Sequence, residues 1–193
     1  MPRNVEVKAR IDDLPALRKQ LAALPIAGQD ILDQTDTFFH VGDGRLKLRE
    51  FAQGPAELIF YQRPDSPGAK LSHYERLSCR DPATLKRNLT QALGVRGTVK
   101  KRREVYFVGP TRIHLDTVEG LGTFLELEVV LQDSDAVEAG EAIASEVLRA
   151  LRVPPASLLP GAYIDLLEVA DRRFPSTDTG TPSVSEECSL RSR

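Results

Sequence analysis

Asn4-Val5-Glu6-Val7-Lys8-Ala9-Arg10-Ile11 is the stretch on which the fold turns. In an extended strand Val5, Val7, Ala9 and Ile11 fall on one side, and Asn4, Glu6, Lys8 and Arg10 on the other. One face is apolar and the other is charged. The same parity recurs down the chain. Lys47 and Arg49 share a face with Arg45, opposite Leu46 and Leu48. Lys101 and Arg103 share another, as do Arg112, His114 and Asp116. Glu126 and Glu128 sit together opposite Leu125, Leu127, Val129 and Leu131.

A half-exposed sheet ordinarily turns a mixture of Thr, Ser, Lys and Glu toward water. Here several strands carry rows of one sign. Neighbouring like charges repel by roughly 1 kcal/mol or more per pair at partial burial. Such rows persist where opposite charge lies between them. A single Lys-x-Arg row is most often a solvated edge, so the argument rests on recurrence and on the helices. Three amphipathic helices need apolar sheet to cover. If the apolar faces turn outward beneath them, the charged faces turn inward. The sequence therefore predicts an α+β chain built on a closed eight-stranded antiparallel β-barrel, with helices packed outside and a polar lumen. Polyphosphate fits the basic rows, and a divalent cation fits the Glu pair.

Working outward, strands are expected at 4–11, 31–41, 45–51, 57–63, 72–80, 98–108, 112–118 and 123–131, separated by Gly- and Pro-bearing turns. Asp12 and Asp13 precede one helix, striped by Leu14, Leu17, Leu21 and Leu24. Asp81-Pro82 opens a second, which Gly94 ends; a third runs from about Asp135 to Leu151. A short apolar piece, Tyr163 to Val169, closes the fold. The expected domain covers residues 1–172, and 173–193, rich in Ser, Thr, Pro and charge, reads as a disordered tail.

Composition narrows the function. The 193 residues hold 26 basic and 28 acidic side chains, a net charge of −2, so no general attraction to nucleic acid or to an anionic membrane is expected. The two cysteines, Cys79 and Cys188, have no metal-ligand spacing and fit a reducing compartment. No apolar run is long enough to span a bilayer, and the first residues lack the apolar core of a signal peptide, so a cytoplasmic location is expected. His114 has no His or Cys partner at zinc spacing and reads as a hydrogen-bonding group of the lumen or core. No phosphate-binding P-loop, dinucleotide fingerprint or nucleophile elbow occurs.

Several ordered segments carry a family resemblance. Asn4-Val5-Glu6-Val7-Lys8 resembles the E-x-E-x-K signature of CYTH proteins, the triphosphate tunnel metalloenzymes, which include class IV adenylyl cyclases and thiamine and inorganic triphosphatases. Residues 34–39 (QTDTFF) and 44–50 (GRLKLRE) are similar to strands of the CyaB-like cyclase branch, as are KKRRE at 100–104, RIHLD at 112–116, EGLG at 119–122 and FLELE at 124–128. The segment YIDLL at 163–167 is similar to the end of that domain. The resemblance implies that Glu6, Glu126 and Glu128 ligate Mg²⁺ or Mn²⁺, with Asp116 close by. It implies that Lys8, Lys47, Arg49, Lys101, Arg103 and Arg112 grip phosphates. Lys8 and a metal-held hydroxide are the candidates for the base.

The sequence departs from the pattern in three places. Asn4 replaces the first Glu of the signature. Where many relatives carry a Lys after the fourth strand, this chain has Gln62 and then Arg63, either of which could take that place. Phe38 and Phe39 supply no hydroxyl on the second strand. The resemblance points first to an adenylyl cyclase, turning ATP into cyclic AMP and pyrophosphate. It points second to a hydrolase of thiamine triphosphate or tripolyphosphate. Asn4 is the feature that favours a third reading, a non-catalytic binder of nucleotide or polyphosphate. A monomer or a homodimer is expected, with a small-molecule triphosphate as partner.

Overall fold

The structure is a computed structural model and describes residues 1–173; the expected tail at 173–193 lies, apart from its first residue, outside the described residues. Eight antiparallel strands close on themselves: β1 (Arg3–Arg10), β2 (Gly28–Phe39), β3 (Arg45–Phe51), β4 (Ala56–Gln62), β5 (Lys70–Cys79), β6 (Val95–Val108), β7 (Thr111–Val118) and β8 (Gly122–Leu131). Around the barrel the order is β1-β5-β4-β3-β2-β6-β7-β8, and β8 pairs with β1 to complete the ring. Closure leaves no free sheet edge in the ring. The helices are α1 (Leu14–Leu21), α2 (Pro82–Leu93), α3 (Val137–Ala150) and α4 (Tyr163–Arg173).

The expected parity is what the barrel shows. Val5, Val7 and Ala9 of β1 point outward and pack with Leu17 and Leu21 of α1, Ala144 of α3, and Ile113, Leu115, Leu125, Leu127 and Val129 of β7 and β8. A second outer cluster sets Leu85 and Leu89 of α2 against Phe39, Leu48 and Ala56. The main apolar core therefore lies between the barrel wall and its helices, and the opposite faces of the same strands enclose the lumen.

The helix starts follow the sequence. Asp13 Oδ1 accepts from Ala16 N–H at 2.9 Å, and Asp81 Oδ1 from Thr84 N–H at 3.1 Å, each satisfying a donor of the first turn. Gly94, with φ of 74°, ends α2 and leads directly into β6. Two strands begin three residues earlier than the sequence predicts, β2 at Gly28 and β6 at Val95. They pair from Gly28↔Phe107 to Phe39↔Val95, with a register shift between Phe38 and Phe39, and that pairing extends both past their alternating segments.

The short apolar piece after Pro160 is a helix. Its first turn plugs one end of the barrel, where Ala162, Tyr163 and Ile164 pack with Phe38, Val99, Val118 and Phe124. Two arginines fasten it there. Arg45 reaches Asp165 at 2.7 Å, and Arg96 reaches both Asp165 (2.6 Å) and Glu168 (2.8 Å). Among the described residues no helix is long and apolar enough to cross a membrane.

Candidate functional site

Inward side chains from all eight strands line one cavity of about 110 Å³, closed at one end by Ala162 and Tyr163. Of the eleven residues that the sequence singles out, ten lie on its wall: Glu6, Lys8, Lys47, Arg49, Arg63, Lys101, Arg103, Arg112, Glu126 and Glu128. Counting the whole wall, eight Lys and Arg side chains face four carboxylates, a surplus of four positive charges. So many charges facing one enclosed space repel one another unless an anion enters.

Register explains how the charges are grouped. On the β8 side, Glu128 stands directly across from Glu6 of β1 and from Arg112 of β7. Glu126 stands across from Lys8 of β1 and His114 of β7. Two carboxylates directly opposite each other, as Glu6 and Glu128 are, oppose folding unless a cation sits between them. Burial raises the Glu6 carboxyl above the usual range, with Glu126 and Glu128 adding to that, although Arg63 and Lys8 pull it down. Beneath this group lies His114, 3% exposed, whose Nδ1 has no hydrogen-bond partner. The donor set of paired carboxylates with an unpaired buried nitrogen fits a divalent cation.

The basic side is organised around Asp36 of β2. Its carboxylate accepts from Arg49 Nε at 2.7 Å and from Lys47 Nζ at 3.0 Å, and Lys101 Nζ lies 3.5 Å away. Burial pushes Asp36 up, but Arg49, Lys47 and Lys101 outweigh it and hold the group well below the usual carboxylate range. Burial and the adjoining Arg103 push the Lys101 ammonium down to about 7, against the pull of Asp36. Burial also opposes ionisation of Glu126, yet Lys8 and Arg103 keep it a carboxylate. Lys8 Nζ donates to Glu126 Oε1 at 2.9 Å, and Arg103 also bonds Glu126.

Asp116 is the expected residue that does not reach the wall. It is fully buried, and Arg103 donates to both of its oxygens at 2.7 and 2.6 Å. Tyr163 O–H adds a third bond at 2.8 Å. Asp116 therefore has no oxygen directed into the lumen, and its effect is to aim Arg103. The choice between Gln62 and Arg63 is also settled in position. Gln62 is exposed and donates to Asp43 at 2.7 Å, whereas Arg63 turns inward, with Nε 2.7 Å from Glu6 Oε1.

Sequence reasoning missed several wall residues. Asp36 shares its parity with Gln34 and Phe38, so period two alone would have marked it as inward. Tyr61, Tyr74 and Arg76 follow the same rule on β4 and β5. Tyr163 had no such signal. It enters from a helix, and Lys8 Nζ lies 3.6 Å from its ring centre. Phe38 lines the lumen, while Phe39 faces outward into the α2 cluster.

Comparison with known proteins agrees with this geometry. The CYTH domain family model matches residues 2–163. The adenylate cyclase CyaB of Aeromonas hydrophila is 30% identical over 139 residues, covering 67% of this chain and 70% of that protein. The structure of the PH1012 protein of Pyrococcus horikoshii superposes with a TM-score of 0.76 at 24% identity, covering 84% of this chain and 98% of that one. A putative adenylyl cyclase of Hippeastrum, described as revealing a dominant triphosphatase activity, superposes with a TM-score of 0.61 at 18% identity, covering 86% and 95%. These last two likenesses are likenesses of fold.

Proposed function

Because the chain belongs to the CYTH family, we propose that it is a divalent-metal-dependent enzyme acting on a triphosphate, with conversion of ATP to cyclic AMP and pyrophosphate as its reaction. The observation that carries the reading is the convergence of eight cationic side chains on one closed lumen, beside a separate group of carboxylates. A triphosphate is a polyanion, which complements the surplus of positive charge on the wall. The name of the Aeromonas relative is the reason for placing the cyclase first.

Arg49, Lys47, Lys101 and Arg103 are the proposed grip on phosphate oxygens. Asp36 and Asp116 orient them, since each carboxylate fixes at least one guanidinium by a two-pronged bond. Arg63 and Arg112 extend the grip toward Glu6 and Glu128. A Mg²⁺ or Mn²⁺ would be held by Glu126 and Glu128, with Glu6 across the β1–β8 ladder, and would supply charge that neutralises phosphate oxygens. Lys8, bonded to Glu126, is proposed as a catalytic cation at the same place. In the cyclase reaction the ribose 3′-oxygen bonds the α-phosphorus, the bond to the β-phosphate oxygen breaks, and pyrophosphate leaves. The side chains' part is to align these atoms and hold the developing charge.

Asn4, which brings a neutral oxygen to the lumen where the signature has a carboxylate, bears on the non-catalytic reading. Hydrolysis of a triphosphate is the second reading, and one observation favours it. The Hippeastrum protein shares this fold and is described as mainly a triphosphatase. Purified protein with Mn²⁺ and ATP, then with Mn²⁺ and tripolyphosphate, separates the readings. Cyclic AMP supports the cyclase, and orthophosphate supports the hydrolase. Binding without any product would leave a non-catalytic binder, and absence of binding would remove the triphosphate reading altogether.

A further inference from the structure

His114 has no part in the proposed phosphate grip or in the proposed reaction. It sits on β7 directly across from Glu126 of β8, in the inward parity. Its ring is 3% exposed, and Nδ1 makes no hydrogen bond. A buried polar atom left without a partner opposes folding, so its persistence calls for a partner. The nearest candidates are Glu126 Oε2 at 3.8 Å and Glu128 Oε1 at 3.9 Å. Both distances are too long for a hydrogen bond.

They are close to what a shared cation requires. Two ligands at right angles, each about 2.1 Å from an ion, stand about 3 Å apart. The three donor atoms all lie within 4.8 Å of one another. Glu128 Oε1 is free for this purpose, because Arg112 holds the other oxygen at 3.3 Å; Glu126, whose Oε1 accepts from Lys8 and Oε2 from Arg103, would offer the second lone pair of one oxygen.

We propose that His114 Nδ1 is a ligand of the divalent cation held by Glu126 and Glu128, and that it biases the site toward Mn²⁺ or Co²⁺ over Mg²⁺. The proposal rests on the reading of the lumen as a divalent-cation site. The chemistry is that of the donor atom. Mg²⁺ binds oxygen almost exclusively and parts reluctantly with its water, while imidazole suits the later first-row ions. One nitrogen among the oxygens therefore tilts the choice of metal without altering the phosphate grip. The competing arrangement has Nδ1 protonated and bonded to one Glu, with no nitrogen on the metal.

Pulsed electron paramagnetic resonance on the whole protein with Mn²⁺ alone tests this. The expected result is a ¹⁴N coupling of a directly bound imidazole, abolished in His114→Gln. The same substitution should weaken Mn²⁺ binding by about tenfold or more and Mg²⁺ binding by less than about threefold. Mn²⁺ that is lost in Glu128→Gln yet shows no nitrogen coupling in the unaltered protein would overturn the role of His114 and leave the carboxylate site standing. A coupling that survives in His114→Gln would overturn it too. Failure of the unaltered protein to bind Mn²⁺ at all would overturn both.

Discussion

Lys101 lies between Asp36 and Arg103, and its ammonium is pushed down to about 7 by burial and by that arginine. A bound triphosphate favours the charged form. Below about pH 7 the side chain is already protonated, and binding needs no proton from solution. Above it the complex must take one up, so affinity falls as pH rises, by up to about tenfold per unit from this group alone. Calorimetric titration of tripolyphosphate between pH 6 and 9 checks this. Lys101→Arg, whose guanidinium stays charged throughout, should flatten the fall relative to the unaltered protein. The inward direction of Lys101 was readable from its spacing to Arg103. Its depressed basicity was not, because Asp36 comes from another strand and only barrel closure brings the three together. For the same reason Asp116 reads as a lumen residue by parity, yet Arg103 and Tyr163 consume its oxygens.

At the scale of elements, alternation located eight strands and their faces, because a half-charged strand has one way to sit in a closed barrel. Ends were less legible: β2 and β6 lengthen through mutual pairing that no local pattern encodes. The least legible element is α4, whose position depends on Arg45 and Arg96 clasping Asp165 from distant strands. Helix α3 offers a direct test of how tightly the outer layer fits. A Cβ added at Gly140 would stand 2.8 Å from Val5 Cγ2 and 2.9 Å from Leu131 Cδ2. Alanine gains about 1 kcal/mol of helix propensity over glycine, whereas overpacking of this kind costs about 1–3 kcal/mol. Crowding against two strands should win. Gly140→Ala is expected to lower the unfolding free energy by about 1 kcal/mol in urea melts, and Gly140→Val by more. A stabilised Gly140→Ala would mean that α3 lies loosely on β1 and β8.

The whole molecule inverts the usual arrangement, with its main apolar core outside the barrel and its charges within. Internal carboxylates partly offset the cation surplus, so removing one should be felt globally. Asp36→Asn leaves Lys47, Arg49 and Lys101 facing one another and should cost about 3 kcal/mol or more. Tripolyphosphate should restore part of that loss, since an anion that binds only the folded chain stabilises it by about 2.7 kcal/mol at a hundred times its Kd. Thermal melts with and without the anion read both effects. The direct test of where the triphosphate sits compares two arginines. Arg49 lines the lumen, and Arg18 pairs with Glu104 on the outer surface. Titrating tripolyphosphate into the unaltered protein, Arg49→Ala and Arg18→Ala should give one site per chain, weakened about tenfold or more by the first substitution and untouched by the second. Equal losses from both, or full affinity in Arg49→Ala, would contradict a triphosphate held inside the barrel.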